Sequence, residues 1–218
     1  METITVTPRV DARGKTISTY VVFEVATALQ NMDEGAVLEL LTDDYEPIDR
    51  DLTAWGSATG HRLLSSESIP SGRLFAIRKG PPKARGSSLA MVISTDGLEE
   101  LLSPLGFALA AALDGMDVHL YFQGPGVRVL SRGFHPKLRG WGRPFSRFAA
   151  AGMNKTGHIP AVRKLDQLRS LGAKIYVCGA SMPHFKVKKE DLIYDDVPLV
   201  AYFTFIAVME HADVSLYM

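Results

Sequence analysis

The sequence predicts an α/β protein in two parts: an N-terminal two-layer α/β sandwich of order β-α-β-α-β-β, then an open, mainly parallel α/β/α sheet domain. Three observations support this. Short β-branched or apolar runs alternate with helix-length periodic segments along the chain. Gly80-Pro81-Pro82-Lys83-Ala84-Arg85-Gly86-Ser87-Ser88 interrupts the alternation with turn-forming residues. The charge also changes sign there: residues 1–80 carry 8 basic and 12 acidic side chains and residues 81–218 carry 16 and 12, so a formal net charge of zero is −4 joined to +4. The domains are set at 1–80 and 89–218, with a linker over 81–88.

In the first domain, Thr3 to Thr7 alternates β-branched residues and reads as a strand. Thr19 to Asn31 places Val22, Val25, Ala26 and Leu29 on one helical face. Ala36 to Thr42 is the second strand and Pro47 to Trp55 the second helix. His61 to Ser65 and Arg73 to Arg78 are two strands joined as a hairpin, which completes a four-stranded mixed sheet with both helices on one face.

The second domain opens with Leu89 to Thr95, an apolar run of the kind buried on both faces of a parallel sheet. Leu98 to Leu113 reads as a helix closed by Gly115, and Val118 to Gln123 as the next strand. About thirty residues without clear structure follow. Pro160 to Leu171 is a helix with Pro at its start and Gly172 just past its end. Ala173 to Cys178 is a strand, Lys189 to Ile193 a short helix, Pro198 to His211 a buried helix and Val214 to Tyr217 a terminal strand. Strands separated by helices imply right-handed crossovers.

Composition narrows the function classes. A chain of 218 residues, 46% hydrophobic and 22% charged, has material for a real core. One cysteine excludes an internal disulfide framework and any CxxC metal site, so a reducing cytoplasm is the expected setting. METITVTPRVDARG has no apolar core of the signal-peptide kind. The longest apolar stretch, Val197 to Met209, is too short to span a bilayer. Zero net charge gives no global electrostatic case for nucleic acid or a membrane surface.

Cys178 lies at the carboxyl end of an apolar strand, before Gly179-Ala180-Ser181-Met182-Pro183-His184. In open α/β sheets that edge gathers reacting groups, and small residues let backbone N–H groups approach a thiolate or its bound anion. The competing reading is a buried small hydrophobe. His184 is the candidate base for a hydrolase. Peroxiredoxin-type chemistry lacks its preceding Pro and Thr, because Lys174-Ile175-Tyr176-Val177 stands there. With no second cysteine, single-thiol group transfer fits best.

Val118 to Leu165 contains no acidic residue and nine basic ones, with Phe134, Trp141, Phe145 and Phe148 interleaved. Arg128, Arg132, Lys137, Arg139, Arg143 and Arg147 are candidates for docking an acidic protein or a small anion; a solvated loop and a nucleic-acid surface are the alternatives. Gly124-Pro125-Gly126 lacks the G-x-G-x-x-G spacing of a dinucleotide loop. The histidines show no metal-ligand spacing, so no metal and no cofactor is expected. Asp43-Asp44 and Asp195-Asp196 read as turn and cap residues.

Both halves resemble sulfur-trafficking families. Asp11-Ala12-Arg13-Gly14, Thr42-Asp43-Asp44 and Ile77-Arg78-Lys79-Gly80 resemble the TusA sulfur-carrier family, whose Cys-Pro-x-Pro is replaced by Ile17-Ser18-Thr19-Tyr20. Residues 88–218 resemble the DsrE/DsrF-like family, in the branch whose members are often fused to TusA-like domains, in Gly172-Ala173-Lys174-Ile175, Cys178 with Ser181-Met182, Lys188-Lys189-Glu190-Asp191-Leu192 and Ala212-Asp213-Val214-Ser215-Leu216-Tyr217, with Met153-Asn154 in the segment where that branch carries a Met-rich, basic stretch. This resemblance implies a DsrE-like fold and a sulfurtransferase or sulfur carrier holding sulfane sulfur as a persulfide on Cys178. Gly179, Ala180, Ser181, Met182 and His184 would line the site. It implies a persulfide donor or acceptor protein as partner and a homo-oligomer, a trimer or a multiple of it, with no membrane. The alternative is a non-catalytic scaffold that binds a sulfur carrier through the thiol-less N-terminal half. A nucleotide or small-molecule binder at the sheet edge is the third reading.

Overall fold

The structure, a computed structural model, describes residues 7–15, 17–44, 47–81, 86–155 and 157–218. The described chain forms two compact units, one built on residues up to 81 and the other on residues from 86. The strand expected over Thr3 to Thr7 falls largely outside the described residues, as does the middle of the linker.

The first unit runs β1 (Arg9–Asp11), α1 (Ser18–Gln30), β2 (Val37–Thr42), α2 (Pro47–Thr59), β3 (Arg62–Ile69) and β4 (Gly72–Arg78). Its sheet has the order β1-β2-β4-β3, with β1 parallel to β2 and the other pairings antiparallel. Leu38 pairs with Ile77 and Leu40 with Phe75 on one sheet face. That face is buried together with Val21, Val25 and Leu29 of α1 and Ile48 and Leu52 of α2. The helix α2 continues past the expected Trp55 to Thr59. Thr53, Ser57 and Thr59 donate their hydroxyls to carbonyls four residues earlier, which satisfies polar side chains that otherwise favour turns.

The second unit runs β5 (Ser88–Ile93), α3 (Leu102–Leu113), β6 (Asp117–Phe122), α4 (Ser146–Lys155), α5 (Ala161–Ser170), β7 (Lys174–Cys178), α6 (Ser181–His184), β8 (Leu199–Val200), α7 (Tyr202–Glu210) and β9 (Val214–Tyr217). All five strands are parallel, in the order β8-β7-β6-β5-β9. The chain steps outward from β5 to β8 and returns to the other side of β5, so the strand order reverses at β5.

Four expectations need correction. The helix expected from Leu98 begins at Leu102, which puts Pro104 in its first turn, where a missing N–H costs nothing. The stretch expected to lack structure holds 3-10 helices over Gly124–Leu130 and Gly140–Phe145 and the helix α4. Its Gly and Pro residues suit tight three-residue turns and hide any 3.6-residue pattern. Lys189–Asp191 is a 3-10 turn rather than a helix to Ile193. The segment read as one buried helix over Pro198 to His211 splits into β8 and α7, and of α7 only Phe205 is buried. Phe203 is 88% exposed and Tyr202 58%.

Candidate functional site

Cys178 is the last residue of β7 and is 1% exposed. Side chains alternate along a strand, so Cys178 shares a sheet face with Tyr176. Tyr121, on the adjacent β6, belongs to that face too: Phe205 of α7 stacks on Tyr121 at 4.8 Å and meets Tyr176 edge-on at 5.6 Å. The thiol therefore lies on the side of the sheet that α7 covers.

Directly after the strand the chain turns through Gly179-Ala180 into α6. Gly179 donates its N–H to Val200 of β8 at 3.1 Å, which fixes the start of the turn. Burial acts to raise the Cys178 pKa, but donors outweigh it: the Ser181 hydroxyl, the Tyr121 hydroxyl and the backbone N–H groups of Ser181 and Ala180 hold it below the ordinary thiol value. The Ser181 oxygen also accepts the Gly124 N–H at 3.0 Å, which leaves its proton for the sulfur. The Tyr121 hydroxyl is buried without a hydrogen-bond partner among the described residues, on the sheet face it shares with Cys178, whose charged form it favours. Its own ionisation is pushed far up, first by burial and then by Cys178.

Nothing local in the sequence around Tyr121 marks it as a partner of the thiol site. The available signal was a hydroxyl inside an otherwise apolar parallel strand, since a buried polar atom needs a partner.

Of the other residues expected at the site, Met182 is buried and Ala180 and Ser181 face the thiol. His184 is not brought to it. Its exposed ring packs edge-on against Phe185 at 5.0 Å and is not among the groups that shift the pKa of the thiol.

The basic segment looks different in space than in sequence, because other parts of the chain supply carboxylates. Arg128 pairs with Asp96 at 3.1 Å, Arg132 with Asp195 at 2.9 Å and Arg139 with Glu100 at 2.9 Å. Among the described residues, Lys137, Arg143 and Arg147 meet no carboxylate. Arg128 also lies 5.1 Å above the centre of the Phe185 ring, just past α6. Trp141, Phe145 and Phe148 are 99%, 66% and 83% exposed. No group of three or more His, Cys, Asp or Glu side chains that could hold a metal occurs among the described residues. No helix among them is long and apolar enough to cross a membrane.

Residues 87–216 match the DsrE/DsrF-like family. Among solved structures, the YchN protein from E. coli aligns with 61% of this chain and 100% of its own, at 13% sequence identity and a TM-score of 0.43. No curated protein matches the chain. The family match does not extend to the N-terminal unit.

Proposed function

This chain belongs, through residues 87–216, to the DsrE/DsrF-like family, whose general context is sulfur relay, and from that premise we propose that it carries or transfers sulfane sulfur as a persulfide on Cys178. The observation that carries the reading is the set of donors around a single thiol. A buried cysteine serving only as a small hydrophobe has no use for the Ser181 and Tyr121 hydroxyls and two backbone N–H groups. In the transfer, the Cys178 thiolate attacks the outer sulfur of a donor persulfide R–S–SH. The Sγ–S bond forms, the donor's S–S bond breaks, and R–S⁻ leaves with the electron pair. An acceptor thiolate then attacks the outer sulfur of Cys178–S–SH and regenerates the Cys178 thiolate. Neither step needs an external oxidant.

The donors stabilise the Cys178 thiolate as attacking group in the first step and as leaving group in the second. The remaining partners belong to the same proposal: a donor or acceptor protein, and further copies of this chain on the α7 face. The N-terminal unit, with Ile17-Ser18-Thr19-Tyr20 where its resemblance would call for a thiol, serves binding rather than sulfur transfer.

One observation favours the scaffold reading: Cys178 is 1% exposed. The two readings part in one experiment. Full-length protein incubated with polysulfide and analysed by intact-mass spectrometry gains one sulfur atom, and Cys178→Ser gains none. Folded wild-type protein that stays unmodified, with partner binding retained in Cys178→Ser, would establish the scaffold instead.

A further inference from the structure

The basic residues that Cys178 chemistry leaves unused converge on a groove of about 680 Å³, bordered by Asp96, Arg128, His135, Lys137, Arg139 and Arg143. Asp96 follows β5, the strand at which the sheet order reverses. In open parallel sheets the crevice at such a reversal, outside the carboxyl ends of the strands, is where ligands settle. Cys178 lies two strands away, at the end of β7, so the groove and the thiol are different places on that edge.

The walls are held by specific bonds. Leu98 donates its N–H to the Lys137 carbonyl at 3.0 Å, and Gly97 and Lys137 bridge as parallel strands do. The buried Ser146 hydroxyl accepts the Leu138 N–H at 2.9 Å and donates to the Arg143 carbonyl at 2.6 Å, tying the Lys137–Leu138 wall to the 3-10 turn that carries Arg143. Arg139 is fixed further by Thr95, whose hydroxyl donates to Glu100.

Charge then defines the occupant. Asp96 neutralises Arg128 and Glu100 neutralises Arg139. Lys137 and Arg143 line the groove without a carboxylate among the described residues, so it retains two positive charges. Half-buried Phe134 and Leu138 add apolar wall. The volume is of the order that holds a small organic molecule, a few hundred Å³. We propose that this groove binds a small organic molecule bearing two anionic groups, which pair with Lys137 and Arg143 while its body packs on Phe134 and Leu138. The site is independent of sulfur transfer at Cys178.

Isothermal titration of the full-length protein with metal-free ADP and, separately, with S-methylglutathione tests it. The first probe offers phosphates and the second carboxylates, so the pair distinguishes the two sources of anionic groups. At least one binds saturably with one site per chain, and added salt weakens it. Lys137→Gln with Arg143→Gln weakens it by about tenfold or more, whereas Arg62→Gln in the first unit leaves it unchanged. Absence of saturable binding by both probes at millimolar concentration overturns the proposal. So does binding to the wild-type protein that ignores salt, or binding that survives in a double variant with an unchanged melting temperature. The salt series on the wild-type protein decides the matter even where the double variant fails to fold.

Discussion

At the scale of single residues, two hydroxyls decide the state of the one thiol. Tyr121 and Ser181 both act to lower the Cys178 pKa, because a hydroxyl near the thiolate favours the charged form. Tyr121→Phe or Ser181→Ala should therefore raise the Cys178 pKa. Alkylation rate against pH reads this directly: the wild-type midpoint lies below that of an ordinary cysteine, and each variant's midpoint moves up. Unmoved midpoints would leave Cys178 a structural residue. A second buried group works in the opposite sense for stability. Lys164 is 2% exposed and donates to the Leu102 carbonyl at 3.3 Å, and burial brings its pKa from 10.5 down to about 8. Between those values the unfolded chain binds the proton that the folded chain has released, so stability rises with pH across that window and is lowest beneath it. Lys164→Met should stabilise the fold by about 1 to 2 kcal/mol near neutrality, with the gain shrinking from about pH 8 upward and nearly gone above about pH 10. Urea unfolding at the two pH values checks this, and an equal gain at both would refute it. Cys178 was legible in the sequence because it is the only thiol and ends an apolar run. Tyr121 was not, because the thiol it influences is on another strand and strand order is not written in local pattern.

At the scale of elements, local pattern and tertiary contact divide the credit. Helix α1 and strands β2, β5, β6 and β7 lie within a residue or two of their expected places, since each carries a strong period or a continuous apolar run. Strand β8 was missed because two residues carry no period. The turn into β4 shows what sequence alone leaves open. Gly72 has φ +133, and a Cβ there would stand 2.0 Å from the Thr42 carbonyl oxygen of β2. Gly115, after α3, has φ +86 with nothing within 4 Å of its would-be Cβ. Both are turn glycines to a sequence reader, and only one is also a packing contact. Gly115→Ala should cost about 1 kcal/mol from backbone strain alone, and Gly72→Ala at least about 2 kcal/mol, because the β2–β4 pairing must open to admit the methyl group. Denaturant midpoints of the two variants test the order; equal losses would mean that β2 and β4 yield without cost.

At the scale of the whole molecule, the exposed aromatic surface is the feature that a single chain leaves unexplained. Helix α7 is apolar nearly all round, the pattern of a helix covered on every side, yet it touches the sheet through Phe205 while Phe203 is 88% and Ile206 46% exposed. Such a composition predicts burial, and composition has no means of saying which chain does the burying. Tyr217 on the edge strand β9 adds a further exposed ring. Exposed apolar patches of this kind on a folded protein mark association surfaces, and the thiol sits on the sheet face that α7 covers. A self-association through α7 would therefore also shield the neighbourhood of Cys178, linking oligomeric state to sulfur chemistry. The wild-type protein should run as a multimer in size-exclusion chromatography with light scattering, and Phe203→Glu combined with Ile206→Glu should shift it toward monomer while its far-UV circular dichroism is unchanged. In the monomeric variant, alkylation of Cys178 should speed up, because cover supplied by the neighbouring copy is gone. A wild-type protein that is already monomeric at micromolar concentration would remove the association. A dissociated variant with an unchanged alkylation rate would separate the interface from the thiol and leave Cys178 access to motion of the Gly179–His184 turn alone.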